Sequence, residues 1–243
     1  MRFLLFIFLG ILAPSVQAEP SALPFIASTS TEAELSAIGR IRDWRAGKGG
    51  CSAVLIAPRL AMTAAHCIVA QPRGSFIFDP TTLPNIKRMG VSSVIIHPDF
   101  EGKKEVAALY SDLAFLVLGT NVPEDYAKPI RIGPVAEPGE RYAIYGFLGP
   151  DNPPLQGHSH CRIARLSPGV LGSDCAVGPG MSGSPLLAGR SPDWSVVGII
   201  VGSVEDAPDD VRTLIAEIDR DLLPKQFYAD EVLQRQVEPS NAE

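Results

Sequence analysis

The sequence predicts an all-β protein, and three observations carry that reading. Apolar segments are short, and each ends in Gly, Pro or a polar turn. Glycine and proline each occur 22 times in 243 residues, enough to punctuate many strands. Helical periodicity is scarce, the exception being Tyr228–Val237, which reads as a short C-terminal helix. With 46% apolar residues, a chain of this length has ample material for a core.

Residues 1–18 stand apart from that pattern. Arg2, the apolar run Phe3–Leu12 and the small-residue site Val16-Gln17-Ala18 form a secretory signal cleaved after Ala18. The competing reading is an uncleaved anchor, but the run is short for a membrane span. No other long apolar stretch follows, so the mature chain is expected to be soluble, without stable membrane insertion. Formal charge is −6, which argues against a nucleic-acid partner. Export places the four cysteines in an oxidising compartment, where their even number suggests two disulfides. Three pairings are possible; the local one, Cys51–Cys67 with Cys161–Cys175, is preferred.

Taken in order, Glu19–Glu34 is a polar lead-in and Ser36–Ile41 opens the first strand. Arg45–Gly50 is a hairpin turn by composition, Cys51–Ile56 a strand, and Leu60–Ala65 leads into His66-Cys67. A lone histidine proves little. A Cys51–Cys67 bridge would hold His66 against the preceding hairpin, as a base for proton transfer requires. Residues 76–96 read as strands and loops, and Val94–Phe100 as a strand ending in a turn. His97 is a rival base, but His97-Pro98-Asp99 has the look of a strand exit. Asp112 opens the apolar strand Leu113–Leu118, where its burial calls for a partner such as an imidazole N–H. Read alone, it is a turn or cap residue.

Residues 119–138 carry four prolines and form the candidate linker, after which Arg141–Phe147 restarts a strand. His158-Ser159-His160-Cys161 lacks a second cluster at zinc-like spacing, so no metal site is expected. Gly178-Pro179-Gly180-Met181-Ser182-Gly183-Ser184-Pro185 is the most informative stretch. Its glycines permit a sharp bend holding the Ser182 hydroxyl outward, with the Gly180 and Ser182 amides converging beside it. The bland alternative is a tight hairpin. Trp194–Gly202 is a further strand, and Arg212–Ile218 is open between strand and helix.

Thr63-Ala64-Ala65-His66-Cys67, then Asp112–Leu116, then Gly180–Pro185 resemble the trypsin-like (chymotrypsin-fold) serine proteases, in that family's His, Asp, Ser order. An α/β-hydrolase is excluded by the opposite order and by Ser184 where its elbow needs glycine. The resemblance implies two packed antiparallel β-barrels forming one peptidase domain, 19–130 and 131–243, with the site between them. It implies Ser182 as nucleophile, His66 as general base, Asp112 as its orienting partner, and Gly180 with Ser182 as the oxyanion hole. No cofactor is implied, the partner is a protein or peptide substrate, and a monomer is expected, secreted or periplasmic.

Departures from the family refine this. Met181 stands where digestive and clotting members carry the aspartate that pairs with a freed N-terminus. The chain therefore looks nearer the bacterial V8 or glutamyl-endopeptidase-like members, and its oxyanion hole is expected to form without exact N-terminal trimming. By resemblance the pocket base is Ala176 and the wall Val201-Gly202-Ser203, giving a neutral S1 pocket, although Asp174 lies two places from that base. Val201 replaces a serine that supports the aspartate in relatives, so Asp112 needs another donor. The alternative is a catalytically silent relative that binds proteins through the same cleft; an esterase on this fold is a third reading.

Overall fold

The computed structural model describes residues 26–27, 35–43, 50–69, 76–80, 89–149, 155–204 and 211–218. The signal expected over 1–18, most of the expected lead-in, most of the turn expected over Arg45–Gly50 and the helix expected over Tyr228–Val237 lie outside the described residues.

The described chain is almost entirely β, in two antiparallel sheets. A two-residue strand, β1 (Ile26–Ala27), comes first in the chain but pairs with the second sheet. The first sheet comprises β2 (Ile38–Asp43), β3 (Cys51–Ala57), β4 (Leu60–Thr63), β5 (Phe76–Pro80), β6 (Met89–Ile96) and β7 (Ala114–Leu118). It closes into a barrel in the order β2-β3-β4-β7-β6-β5, which leaves it no free edge. The apolar runs seen in the sequence are its inward faces: β4 and most of β3 and β7 are buried.

The second sheet holds β8 (Tyr142–Phe147), β9 (Leu155–Cys161), β10 (Ile163–Ser167), β11 (Val170–Ser173), β12 (Pro185–Ala188), β13 (Ser195–Ser203) and β14 (Thr213–Glu217). Its order is β1-β9-β8-β12-β13-β14-β11-β10. The ambiguous segment Arg212–Ile218 is therefore strand. Pairing with β13 on one side and β11 on the other overrides its weak local preference.

Two-residue alternation along β8, together with an irregularity in β13 opposite Leu186–Leu187 that shifts its register, explains how the sheets meet. Ala143, Tyr145 and Phe147 of β8, with Val196 and Ile199 of β13, join the core continuous with the first barrel. The intervening Tyr142, Ile144, Val197 and Ile200 enclose a second core with Met181 and Leu186. Both faces of β13 are thus buried, so its sequence reads as an unbroken apolar run rather than an alternating one. The proline-rich segment expected as a linker crosses between the sheets. Ile130 N–H donates to Leu55 O in the barrel, and Ile132 bridges to Val196 in the second sheet.

Two disulfides are present, Cys51–Cys67 and Cys161–Cys175, the local pairing. No helix among the described residues is long and apolar enough to cross a membrane.

Candidate active site

The site begins at the end of β4, where Thr63-Ala64-Ala65 leads directly into a single helical turn, α1 (His66–Val69). The Cys67 disulfide ties that turn to the first residue of β3, so His66 cannot drift from the barrel wall. On the other side, a 3₁₀ turn (Val106–Ser111) delivers Asp112, whose N–H closes the turn on Leu109 O at 3.1 Å. Strand β7 follows at once and is paired with β4 from Thr63↔Ala114 onward, which sets the two side chains together.

The contact is short and double. His66 Nδ1–H donates to Asp112 Oδ2 at 2.6 Å, and the His66 backbone N–H donates to Oδ1 at 2.8 Å. The Asp112 side chain is 6% exposed and that of His66 38%, so the carboxylate lies beneath a ring that reaches the surface. With Nδ1 donating, the neutral ring carries its lone pair on Nε2. The donor that Asp112 needs in place of a serine is thus the backbone amide of His66 itself. Nε2 lies 3.7 Å from Cys67 Sγ, a sulfur already in a disulfide with no proton to share.

His66 and Asp112 border a cavity of about 460 Å³. Val201, Gly202 and Ser203 line it too, with Lys103 and Lys104 at its rim. Three expected pocket-wall residues therefore share one cleft with the histidine–aspartate pair. His97, the rival base, is buried away from it: its Nδ1 accepts the Asp99 N–H, and its ring meets Tyr110 edge-on.

Ser182 sits in the glycine-rich turn before β12, half-buried. Among the described residues no hydrogen bond joins its hydroxyl to the His66 ring. Such contacts commonly tighten only when substrate binds. The backbone of the turn is almost fully committed. Gly178 O accepts Met181 N–H, Pro179 O accepts Gly149 N–H, Met181 O accepts Ser184 N–H, and Ser182 O accepts Ser52 N–H. Gly180 O accepts the Ser52 hydroxyl at 3.0 Å. The amides of Gly180 and Ser182 are not committed in this way: among the described residues neither has a protein acceptor. In a trans peptide the N–H points opposite the preceding C=O. Anchoring Pro179 O and Met181 O therefore aims those two amides away from their anchors. Gly180 has φ +100°, and a side chain there would collide with Phe147 O and Gly149 N, so the position requires glycine. Met181 is fully buried in the second core, where a carboxylate would be unpaired.

Ala176 is half-buried, and its carbonyl accepts His158 Nε2–H at 3.0 Å. Asp174 bears no free charge toward the cleft: its two oxygens accept Arg162 N–H at 2.8 Å and Nε–H at 2.7 Å. The sequence reading missed Ser52 and Arg40, both buried polar residues, on β3 and β2. A serine inside Cys51–Ala57 was a visible signal, since a buried hydroxyl must find partners.

Residues 51–199 match the model of the trypsin-like peptidase domain. The chain belongs to that family. It is also similar to human serine protease 56, at 26% identity over 174 residues, 68% of this chain and 26% of that protein. The chain thus spans about a quarter of the length of the curated relative it matches.

Proposed function

We propose that this trypsin-like peptidase domain is an exported serine endopeptidase working through His66, Asp112 and Ser182. Ser182 Oγ attacks the peptide carbonyl, and His66 Nε2 takes its proton and returns it to the leaving amine. Asp112 holds the ring in the Nδ1–H tautomer and stabilises the imidazolium. The Gly180 and Ser182 amides receive the oxyanion, each donor being worth on the order of 10²–10³ in rate. The observation that carries this reading is the 2.6 Å Nδ1–Oδ2 bond at the mouth of the cleft. The reaction calls on protein groups alone, with no cofactor and with a protein or peptide as substrate.

Finer parts of the proposal follow the chain's departures from the family. Met181 favours the V8-like bacterial branch and a hole that needs no trimmed N-terminus. Ala176 as base and Val201-Gly202-Ser203 as wall favour a neutral, small or apolar side chain before the scissile bond. Residues 1–18 act as signal, and 19–130 and 131–243 form the two halves of one monomeric peptidase domain, secreted or periplasmic.

The test is the intact mass of the exported chain before and after a fluorophosphonate. A single adduct, lost in Ser182→Ala, supports the triad. Labelling that appears only after one defined cut between Glu19 and Ile38 refutes the trimming-independent hole. The second reading, a silent binder, is favoured by the unmade Ser182–His66 bond; a folded, processed chain that takes no adduct would establish it.

A further inference from the structure

A glycine-rich loop with a neutral Met181 at its centre needs some other restraint to stay in the catalytic conformation. We infer that Ser52 and Arg40, both on the first barrel, are positioning residues that clamp the Pro179–Ser182 backbone so that the Gly180 and Ser182 amides face the cleft. The inference deepens the protease reading and rests on it.

Ser52 is fully buried on β3, beside the disulfide. Its hydroxyl accepts Phe147 N–H at 3.0 Å and donates to Gly180 O at 3.0 Å. Its own N–H reaches Ser182 O at 2.8 Å, and its carbonyl is held by Thr63 Oγ1 at 2.8 Å. One residue therefore fixes the Gly180–Met181 and Ser182–Gly183 peptides, which bracket the Met181–Ser182 peptide that carries the Ser182 amide. Because a hydroxyl has a single proton, the bond accepted from Phe147 leaves that proton for Gly180 O. Gly183, at φ +84°, packs so tightly that a side chain there would overlap Ser52 O and Thr63 Oγ1.

Arg40 acts one step further back. It is 2% exposed; its guanidinium donates to Gly149 O and lies over the Phe147 ring, 5.5 Å from the centroid. Gly149 N–H then donates to Pro179 O at 2.7 Å. The sequence of contacts runs Arg40, Gly149, Pro179 and then the opposed amide of Gly180. If the Pro179–Gly180 peptide turned over, a carbonyl would replace that donor where negative charge must develop. Turnover of that peptide rotates φ of Gly180, already at +100° where glycine moves without steric penalty, so a restraint from outside the loop is required.

The test uses the full exported chain as wild type, Ser52→Ala, Arg40→Met and Arg40→Lys. Three quantities are measured: the second-order rate of fluorophosphonate labelling, the thermal midpoint, and amide hydrogen exchange across 176–184. Expected results are labelling about 10²-fold slower in Ser52→Ala and Arg40→Met, with faster exchange in that segment, and recovery of most of the rate in Arg40→Lys. Wild-type labelling rates in both disruptive variants overturn the clamp and leave the protease reading intact. A rate that falls only as far as the folded fraction falls overturns it too. If Ser52→Ala does not fold, the Arg40→Met and Arg40→Lys pair decides by the same criteria. If the wild type itself takes no label, the protease reading fails. Exchange then judges the clamp alone, unchanged exchange refuting it and faster exchange in the variants supporting it.

Discussion

Asp112→Asn changes the site by one group, an oxygen for an NH₂, with almost no change in volume. The two bonds to Asp112 decide what that does. Oδ1 accepts the His66 backbone N–H at 2.8 Å, and Oδ2 accepts Nδ1–H at 2.6 Å. An asparagine can face them in two ways. Keeping its oxygen on the backbone N–H points its NH₂ at Nδ1, which must then accept, so the ring proton moves to Nε2. Flipping the amide sets NH₂ against the backbone N–H and leaves a buried donor unmade, at about 1–3 kcal/mol. The first arrangement wins, and it is the wrong tautomer. Nε2 then has no lone pair for the Ser182 proton.

Turnover in Asp112→Asn is accordingly expected to fall about 10⁴-fold, as this tautomer error does in the serine-protease template. At 1.36 kcal/mol per decade that is about 5.5 kcal/mol of transition-state stabilisation. The assay is kcat/KM on a peptide substrate, with the thermal midpoint recorded alongside to show that the variant is folded. Activity within about tenfold of wild type would refute the argument, since the orientation forced by the His66 backbone amide would then be immaterial.

Three further outcomes test the scaffold. Replacing Cys51 and Cys67 together by alanine, which opens a link spanning 16 residues, should cost about 3 kcal/mol in urea unfolding. Arg165→Met strands Glu217, whose side chain is 1% exposed and accepts Arg165 Nη1–H at 2.5 Å; a loss of about 3–5 kcal/mol is expected, largely restored by adding Glu217→Leu. Burial raises the Tyr142 phenol above its usual range, so its contribution is complete below pH ~10 and declines as pH rises beyond, where the unfolded chain ionises first. Tyr142→Phe should therefore lose about 1 kcal/mol at pH 7, through the bonds to Glu137, and show a shallower decline in stability above pH 10.

What the sequence disclosed follows from how far apart the interacting groups lie. Cys51 and Cys67 flank a short hairpin, so composition and local pairing reached both the disulfide and the placement of His66. Asp112 was legible as a buried charge in want of a partner, because Leu113–Leu118 is so apolar. Residues 212–218 were not legible, since their strand character comes from neighbours on both sides rather than from their own spacing. Ser52 and Arg40 escaped for the same reason. Their partners lie 128 and 109 residues away, at Gly180 and Gly149, and no local pattern announces them. Asp174 shows the reverse case: it stood close enough in sequence to suggest a charged pocket, but Arg162 occupies both its oxygens.

The two halves of the site are thus held by different kinds of restraint. His66 is fixed by a covalent bond to Cys51 through its neighbour, closed over 16 residues, and by the Asp112 carboxylate delivered by the 3₁₀ turn before β7. Ser182 is fixed at long range, by hydrogen bonds from β3 and from the 147–149 segment of the second sheet. Opening the disulfide should therefore loosen His66 before the Gly180–Ser182 turn, whereas Ser52→Ala should loosen that turn and leave the 2.6 Å His66–Asp112 bond in place. β3 is the common element, carrying Cys51 for one half and Ser52 for the other. Successive residues of a strand project to opposite faces, so a single dipeptide can staple the histidine on one side and grip the serine loop on the other.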